Sequence, residues 1–311
     1  MSKQKQMTGY NQSYESTGTG KPRRRRFGDR KDGRKLRTIT PMHKIMSYIM
    51  AKRSDAQNTY ADSLEISKTE VFCRERVKAG DVNFGLLHVL LAAYVRTVSQ
   101  KPGINRFISG QKVYARNNIE VVMTVKKHMT IESPDTCIKV VFSPTDTVFD
   151  VYRKFNEVVE ANIGNDDESS FDNLAKVLNF IPGLFLRWAI KFLNFLDYFG
   201  WLPRKLTSLS PFHGSMIITS MGSLGIKPIY HHIYDFGNLP IFLAYGIKRS
   251  AISLDREGKV VKHRYVDIKV VTDERICDGF YFASAFKVMK RYVENPISLT
   301  VPPETVVEDI E

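Results

Sequence analysis

The chain has 311 residues, 43% of them hydrophobic, with three cysteines and a formal charge of +13. That is enough apolar chain for one large domain or two small ones with a full core, which excludes a protein dominated by disorder. Cysteines as widely spaced as Cys73, Cys137 and Cys277 exclude a disulfide framework and a cysteine metal site. They fit a reducing compartment, most simply the cytoplasm, and nothing at the start of the sequence resembles a signal peptide.

The charge is concentrated at one end. Residues 1–37 carry twelve Lys/Arg against Glu15, Asp29 and Asp32, so +9 of the +13 lies there. Residues 1–35 are polar, rich in Gly and Ser and then basic, and read as a disordered tail. Its run Arg23-Arg24-Arg25-Arg26 suits an anionic surface, whether nucleic acid, lipid or an acidic protein, or simply a solvated tail. From residue 36 the pattern becomes globular. Residues 41–53 place Ile45, Met46, Ile49 and Met50 at helical spacing, and residues 64–72 alternate as a strand would. Residues 83–100 make the clearest helix, with Leu87, Leu91, Tyr94, Val95 and Val98 on one face and Lys101-Pro102-Gly103 as its stop. β-rich runs follow at 112–114, 119–125 and 137–142, then an amphipathic helix over 147–161.

Residues 174–202 are apolar but interrupted by Pro182, Arg187, Lys191 and Asp197, so they are not a spanning helix. Arg187, Lys191, Asn194 and Tyr198 form one polar stripe, with Trp188, Phe192, Phe195, Phe199 and Trp201 supplying aromatic bulk. Core or subunit packing, a lid over a long acyl group, and a helix on a membrane surface all fit this stretch. Residues 215–226 read as a strand ending in a Gly-rich turn. Two further strands, 241–247 and 265–271, flank a hairpin at 255–259. The strand at 265–271 runs into Thr272-Asp273-Glu274-Arg275-Ile276-Cys277-Asp278-Gly279, after which a helix continues to Asn295-Pro296; an acidic tail, 299–311, closes the chain.

That octapeptide resembles the Asp-His-Arg-x-x-Asp-Gly signature of dihydrolipoyl acyltransferase catalytic cores, and the His-x-x-x-Asp-Gly motif of the chloramphenicol acetyltransferases. Asp273, Arg275, Asp278 and Gly279 match, while Glu274 stands at the histidine position. Pro102 to Arg106 is similar to the family's Pro-x-x-Asn-Arg segment, and Thr219 falls where the family has its catalytic hydroxyl. The resemblance runs in consistent order over residues 36–298 and implies a mixed α/β two-layer fold of the CoA-dependent acyltransferase type. It implies a homotrimer with the site between subunits, the helix near residue 41 packing on a neighbour. It also implies acyl transfer between CoA and a thiol, hydroxyl or amine acceptor. No lipoyl or subunit-binding domain precedes the core in this sequence, so a lipoyl group would have to come in trans.

Carried over residue by residue, the resemblance implies that Thr219 donates to the tetrahedral oxyanion. Asp278 is then an arginine-paired structural carboxylate that also caps the last helix. Gly279 permits the turn, and Arg275, Ser220 and Gly279 lie along the CoA path. Glu274 alters the chemistry: a carboxylate accepts a thiol proton about 6 kcal/mol uphill unless burial raises its pKa by several units. Glu274 is therefore a working base, or it points to solvent or pairs with Arg275, Lys269 or Lys287, leaving a catalytically silent oligomeric scaffold or CoA-binding protein. His231-His232-Ile233-Tyr234-Asp235 offers a replacement base in His231 or His232. Adjacent histidines on a strand point to opposite faces, so no metal is expected there. His43, His128, His213 and His263 show no spacing that indicates a role.

Overall fold

The computed structural model describes residues 25–126, 135–163, 180–255 and 257–311. Its centre is a six-stranded mixed sheet in the order β2-β9-β8-β7-β5-β6. The strands are β2 (Gln57–Glu65), β5 (Ile119–Lys126), β6 (Asp135–Phe142), β7 (Met216–Ser220), β8 (Ile241–Leu254) and β9 (Val260–Asp273). β7 runs parallel to both its neighbours, and the other pairs are antiparallel. A small second sheet, β1-β4-β3, joins Gly33–Lys35 (β1), Arg106–Ser109 (β3) and Lys112–Arg116 (β4).

Period-2 alternation decides the two faces of the large sheet. Val121, Met216, Ile218, Ile241, Leu243, Ile268 and Val270 point into the main core. There they meet α2 (Ser67–Lys78), α3 (Leu86–Gln100), α4 (Val148–Ile163) and α7 (Gly279–Glu294). α3 is the central helix: Val89, Leu90, Leu91, Ala93 and Val95 are all fully buried, so it is apolar nearly all round, as an enclosed helix must be. The outer face carries a smaller cluster of Val122, Ile217, Phe242 and Val271, closed by Ile233 and Leu239. The fold is therefore α/β in two layers, with one face of the sheet covered by helices and the other by the coil of residues 227–238 and, at Lys139 of β6, by the segment 204–209.

Several expectations change at this level. Residues 64–72 are not one strand: β2 ends at Glu65 and α2 begins at Ser67. The buried positions Ile66, Thr69 and Phe72 recur every three residues, a helical period that the alternation of Leu64 and Ile66 conceals. The helix α1 (Pro41–Ile49) stops before residue 53, and the chain leaves it so that Met50 and Arg53 reach the end of β9. The ordered body also takes in residues that the charge pattern assigns to the tails. Arg30 is buried against Asp32 and Asp197, and β1 pairs with β4. At the other end Asp309 binds Arg106, and the carbonyl of Glu311 accepts from the backbone N–H of Arg37 at 2.8 Å.

Candidate functional site

β9 delivers the octapeptide to the rim of the sheet. Asp273, the last residue of the strand, is completely buried and binds Arg275 through two side-chain hydrogen bonds of 2.8 Å each. It also accepts the backbone N–H of Arg275 at 3.1 Å, and Arg53 Nε lies 3.4 Å from its other oxygen. The remaining donors of Arg275 go to the carbonyls of Met50 and Ala51, and His43 Nε2 meets the Arg275 carbonyl at 2.6 Å. Such forked guanidinium–carboxylate pairing fixes both planes at once, and it freezes the turn. The arginine-paired carboxylate is thus Asp273 and not Asp278. Arg275, 3% exposed, is spent inside the protein and is not open to a CoA phosphate.

Asp278 keeps the other half of its expected role. Its Oδ1 accepts the Tyr281 N–H at 2.7 Å and caps α7. Gly279 is not required by the turn: its φ is not among the positive ones, and a Cβ there would meet nothing within 4 Å. Cys277 is buried and its thiol is pushed up by that burial, which removes it as a nucleophile. Glu274 is half-buried, held by its backbone N–H to the Ala56 carbonyl at 2.8 Å. Its carboxylate makes no hydrogen bond or ion pair among the described residues: Arg275 is taken by Asp273, and Lys269 Nζ sits over the Tyr230 ring at 4.0 Å.

Thr219 lies on the outer face of β7, half-buried, with no side-chain hydrogen bond among the described residues. Register places Thr219, Ala244 and Lys269 in one row across β7, β8 and β9, next to the row Ile217, Phe242 and Val271. Ser220, its neighbour, accepts the Ser223 N–H at 3.3 Å and faces Tyr245. Along β9, Glu274 lies five residues beyond Lys269, which with two strand spacings puts it about 19 Å from Thr219. One chain does not bring these two together.

It does bring His231 to the threonine's face. After β7 the chain crosses β8 at Gly246, where a Cβ would collide with the Pro228 ring, and residues 227–238 then run over the outer face as coil rather than strand. Gly237 closes this path at φ +83°, where a Cβ would collide with the Phe212 carbonyl oxygen. His231 stacks on Phe242 with centroids 4.2 Å apart and planes 5° apart, and its buried Nε2 has no hydrogen-bond partner among the described residues. Burial, with a smaller push from His232, lowers its pKa and keeps the imidazole neutral at pH 7. His232 is exposed and turned toward Tyr234, so the two rings separate as adjacent side chains should. Asp235 accepts from Ser54. No three His, Cys, Asp or Glu side chains among the described residues are placed to hold a metal.

Arg53 ties the two halves together. It faces Asp273 as an ion pair at 3.4 Å and donates to the carbonyls of Tyr234 (2.7 Å) and Gly237 (2.9 Å), so the motif turn and the histidine segment share one buried cation. Neither Arg53 nor His43 was visible as a site residue, because only tertiary folding places them near the octapeptide. Of the remaining histidines, His213 is buried near Asp197 and His263 pairs with Glu65, while His128 lies outside the described residues.

No protein-family model and no curated protein matches the sequence. Solved structures do. The chain is similar to a probable dihydrolipoamide acetyltransferase from Listeria monocytogenes 4b F2365, at 14% identity over 84% of this chain and 95% of that one, with a TM-score of 0.52. It is similar to chloramphenicol acetyltransferase at 13% identity, over 83% of this chain and 99% of that one, with a TM-score of 0.50. A truncated catalytic core of the 2-oxoacid dehydrogenase multienzyme complex from Thermoplasma acidophilum gives 13% identity, 84% and 98% coverage, and a TM-score of 0.50. The fold is that of the CoA-dependent acyltransferases and chloramphenicol acetyltransferase.

Proposed function

We propose that this chain transfers an acyl group between CoA and a thiol, hydroxyl or amine acceptor. One observation carries the reading: in an acyltransferase fold, the Thr219 hydroxyl and a neutral, unpartnered His231 imidazole lie on the same coil-covered face of the sheet. His231 takes the proton from the acceptor as it attacks the thioester carbonyl. The Thr219 O–H donates to the oxyanion that forms. Collapse of the tetrahedral intermediate releases CoA as its thiolate, which regains the proton from the imidazole. If the acceptor is a lipoyl thiol, it is supplied in trans.

The site is completed by a second copy in a homotrimer, which brings its own Glu274 to the face that carries Thr219. The apolar residues Met42, Ile45, Tyr48 and Ile49, exposed along α1, support such packing. Glu274 then flanks the acceptor instead of serving as the base. A second reading, a catalytically silent scaffold or CoA-binding protein, draws on one feature: the turn is held by the buried Asp273–Arg275 pair, yet the side chain it presents is a carboxylate.

Turnover of a panel of acyl-CoAs by the wild type, Thr219→Ala, His231→Ala and Glu274→Gln separates the readings. Loss of about 10²–10³ in kcat is expected for Thr219→Ala, and about 10²–10⁴ for His231→Ala. Glu274→Gln is expected to change KM more than kcat. A larger kcat loss in Glu274→Gln than in His231→Ala would move the base to Glu274. Four equally inert proteins would leave the silent reading standing.

A further inference from the structure

The helix α5 (Gly183–Phe199) has three faces. Leu186, Leu193 and Asp197 turn inward, and Asp197 is buried where Arg30 donates to its carbonyl (2.6 Å) and its carboxylate (2.8 Å). On the other side, Leu184, Phe185, Trp188, Phe192, Phe195 and Phe199 fall within a stripe about 100° wide. Each of the six is at least half exposed, from 50% to 66%. Trp201, just past the left-handed Gly200 cap, extends the stripe and stacks on Phe199 at 4.9 Å. So many large aromatic side chains held out to solvent on one helix mark a surface that is covered in use.

Charge indicates by what. Arg187 and Lys191 border the stripe, and Lys191 Nζ reaches over the Trp188 ring at 5.6 Å. Beyond Trp201 the short helix α6 (Arg204–Leu209) opens with Arg204 and Lys205. The Arg30–Asp197 contact brings the N-terminal segment to the same end, where Arg26 pairs with Glu311 at 2.8 Å and Arg25 bonds the Asp29 carbonyl. The single acidic residue of α5 is the buried Asp197. A second copy meeting this surface about a two-fold axis would set these cations against themselves. An anionic lipid headgroup layer would neutralise them, while the aromatic stripe enters the acyl boundary and the basic stems reach outward.

We propose that α5 lies flat on an anionic membrane surface, with Leu184, Phe185, Trp188, Phe192, Phe195 and Phe199 inserted and Arg187, Lys191 and Lys205 on the headgroups. No helix among the described residues is long and apolar enough to span a bilayer, so the contact is interfacial. The inference stands apart from the proposed chemistry.

The chain's only tryptophans, Trp188 and Trp201, both sit on this surface, so intrinsic fluorescence reads it directly. Full-length protein is titrated with phosphatidylcholine vesicles with and without phosphatidylglycerol, and with vesicles carrying brominated acyl chains. Expected are a blue shift and bromine quenching on phosphatidylglycerol vesicles, and much weaker binding to neutral ones. Phe185→Ser/Phe192→Ser, which keeps both tryptophans, weakens binding roughly a hundredfold, about tenfold per aromatic withdrawn. Arg187→Glu/Lys191→Glu abolishes the preference for anionic lipid, at roughly fivefold per cation removed. Unaltered binding in both variants overturns the proposal. So does the absence of quenching on every vesicle. It is equally overturned if the aromatic variant changes only the sedimentation of lipid-free protein, which would make the stripe a contact between copies.

Discussion

Replacing Asp273 by Asn removes one charge from a cluster that has no water to take its place. The carboxylate is 0% exposed, and its two partners, Arg275 and Arg53, are 3% and 5% exposed. Asn preserves the shape and one acceptor oxygen, so the fork to Arg275 is broken on one side and both guanidinium groups stay buried without a counter-charge. Breaking such a pair by removing one partner costs about 3–5 kcal/mol, most of it the penalty of the uncompensated cation. With a urea m-value of about 3 kcal/mol/M for a domain of this size, the midpoint drops by roughly 1–1.7 M. The assay is equilibrium urea unfolding followed by far-UV circular dichroism and by tryptophan emission. A double variant, Asp273→Asn with Arg275→Met, recovers part of the loss because one of the stranded cations is gone. A midpoint shift under about 0.3 M, or no recovery in the double variant, would mean that water reaches the cluster and that the network does not hold the turn.

Asp278→Ala removes the N-cap of α7 and costs about 1 kcal/mol, visible as a smaller shift in the same titration. Lys139, nearly enclosed and repelled by Arg116, has its pKa pushed down to about 8 by burial, with Glu120 3.9 Å away offsetting only part. The unfolded chain thus holds more protons from about pH 8 to its ordinary value near 10.5, and stability rises across that window. Lys139→Met flattens the rise and adds about 2 kcal/mol at pH 7, after loss of its hydrogen bond to the Thr207 carbonyl. His213 is buried and held neutral, its pKa lowered by that burial. Stability anchored at the end of α5 is therefore complete above pH 6.5 and falls as the pH drops through the lowered value. Burial alone would raise the Asp197 carboxyl, but His213 and Arg30 hold it well below the carboxylate range, so its share is lost only below about pH 3.8. His213→Gln should remove the first of these two losses, read by tryptophan emission against pH.

The architecture was largely legible because strong periodicities survive in the sequence. The α3 face, the β5, β7, β8 and β9 strands and the α7 helix all follow the spacing of their apolar residues. Residues 64–72 failed because a strand end and a helix start share one apolar alternation, and the helix buries Thr69 against the Val293 carbonyl of another element, a contact no local pattern announces. Where the candidate residues lie in the fold was legible, but their partners were not. Thr219 and the octapeptide could be located from their motifs. Which carboxylate an arginine binds depends on chain geometry, and so the pairing passed from Asp278 to Asp273. Arg53 could not be found at all, since it lies 220 residues from Asp273 and belongs to no motif. His231 showed only as a doublet with His232; its bare nitrogen and its seat on Phe242 belong to the coil path over the sheet.

Among the described residues, the side-chain bonds that shape the end of β9 are made by residues on either side of position 274, and the tie at 274 itself is a main-chain N–H to Ala56. The bend is thus indifferent to what it displays. Glu274→His should be accepted with almost no loss of folding free energy, putting an imidazole on an unchanged mount. The side chain at 274 can thus be exchanged without rebuilding anything beneath it.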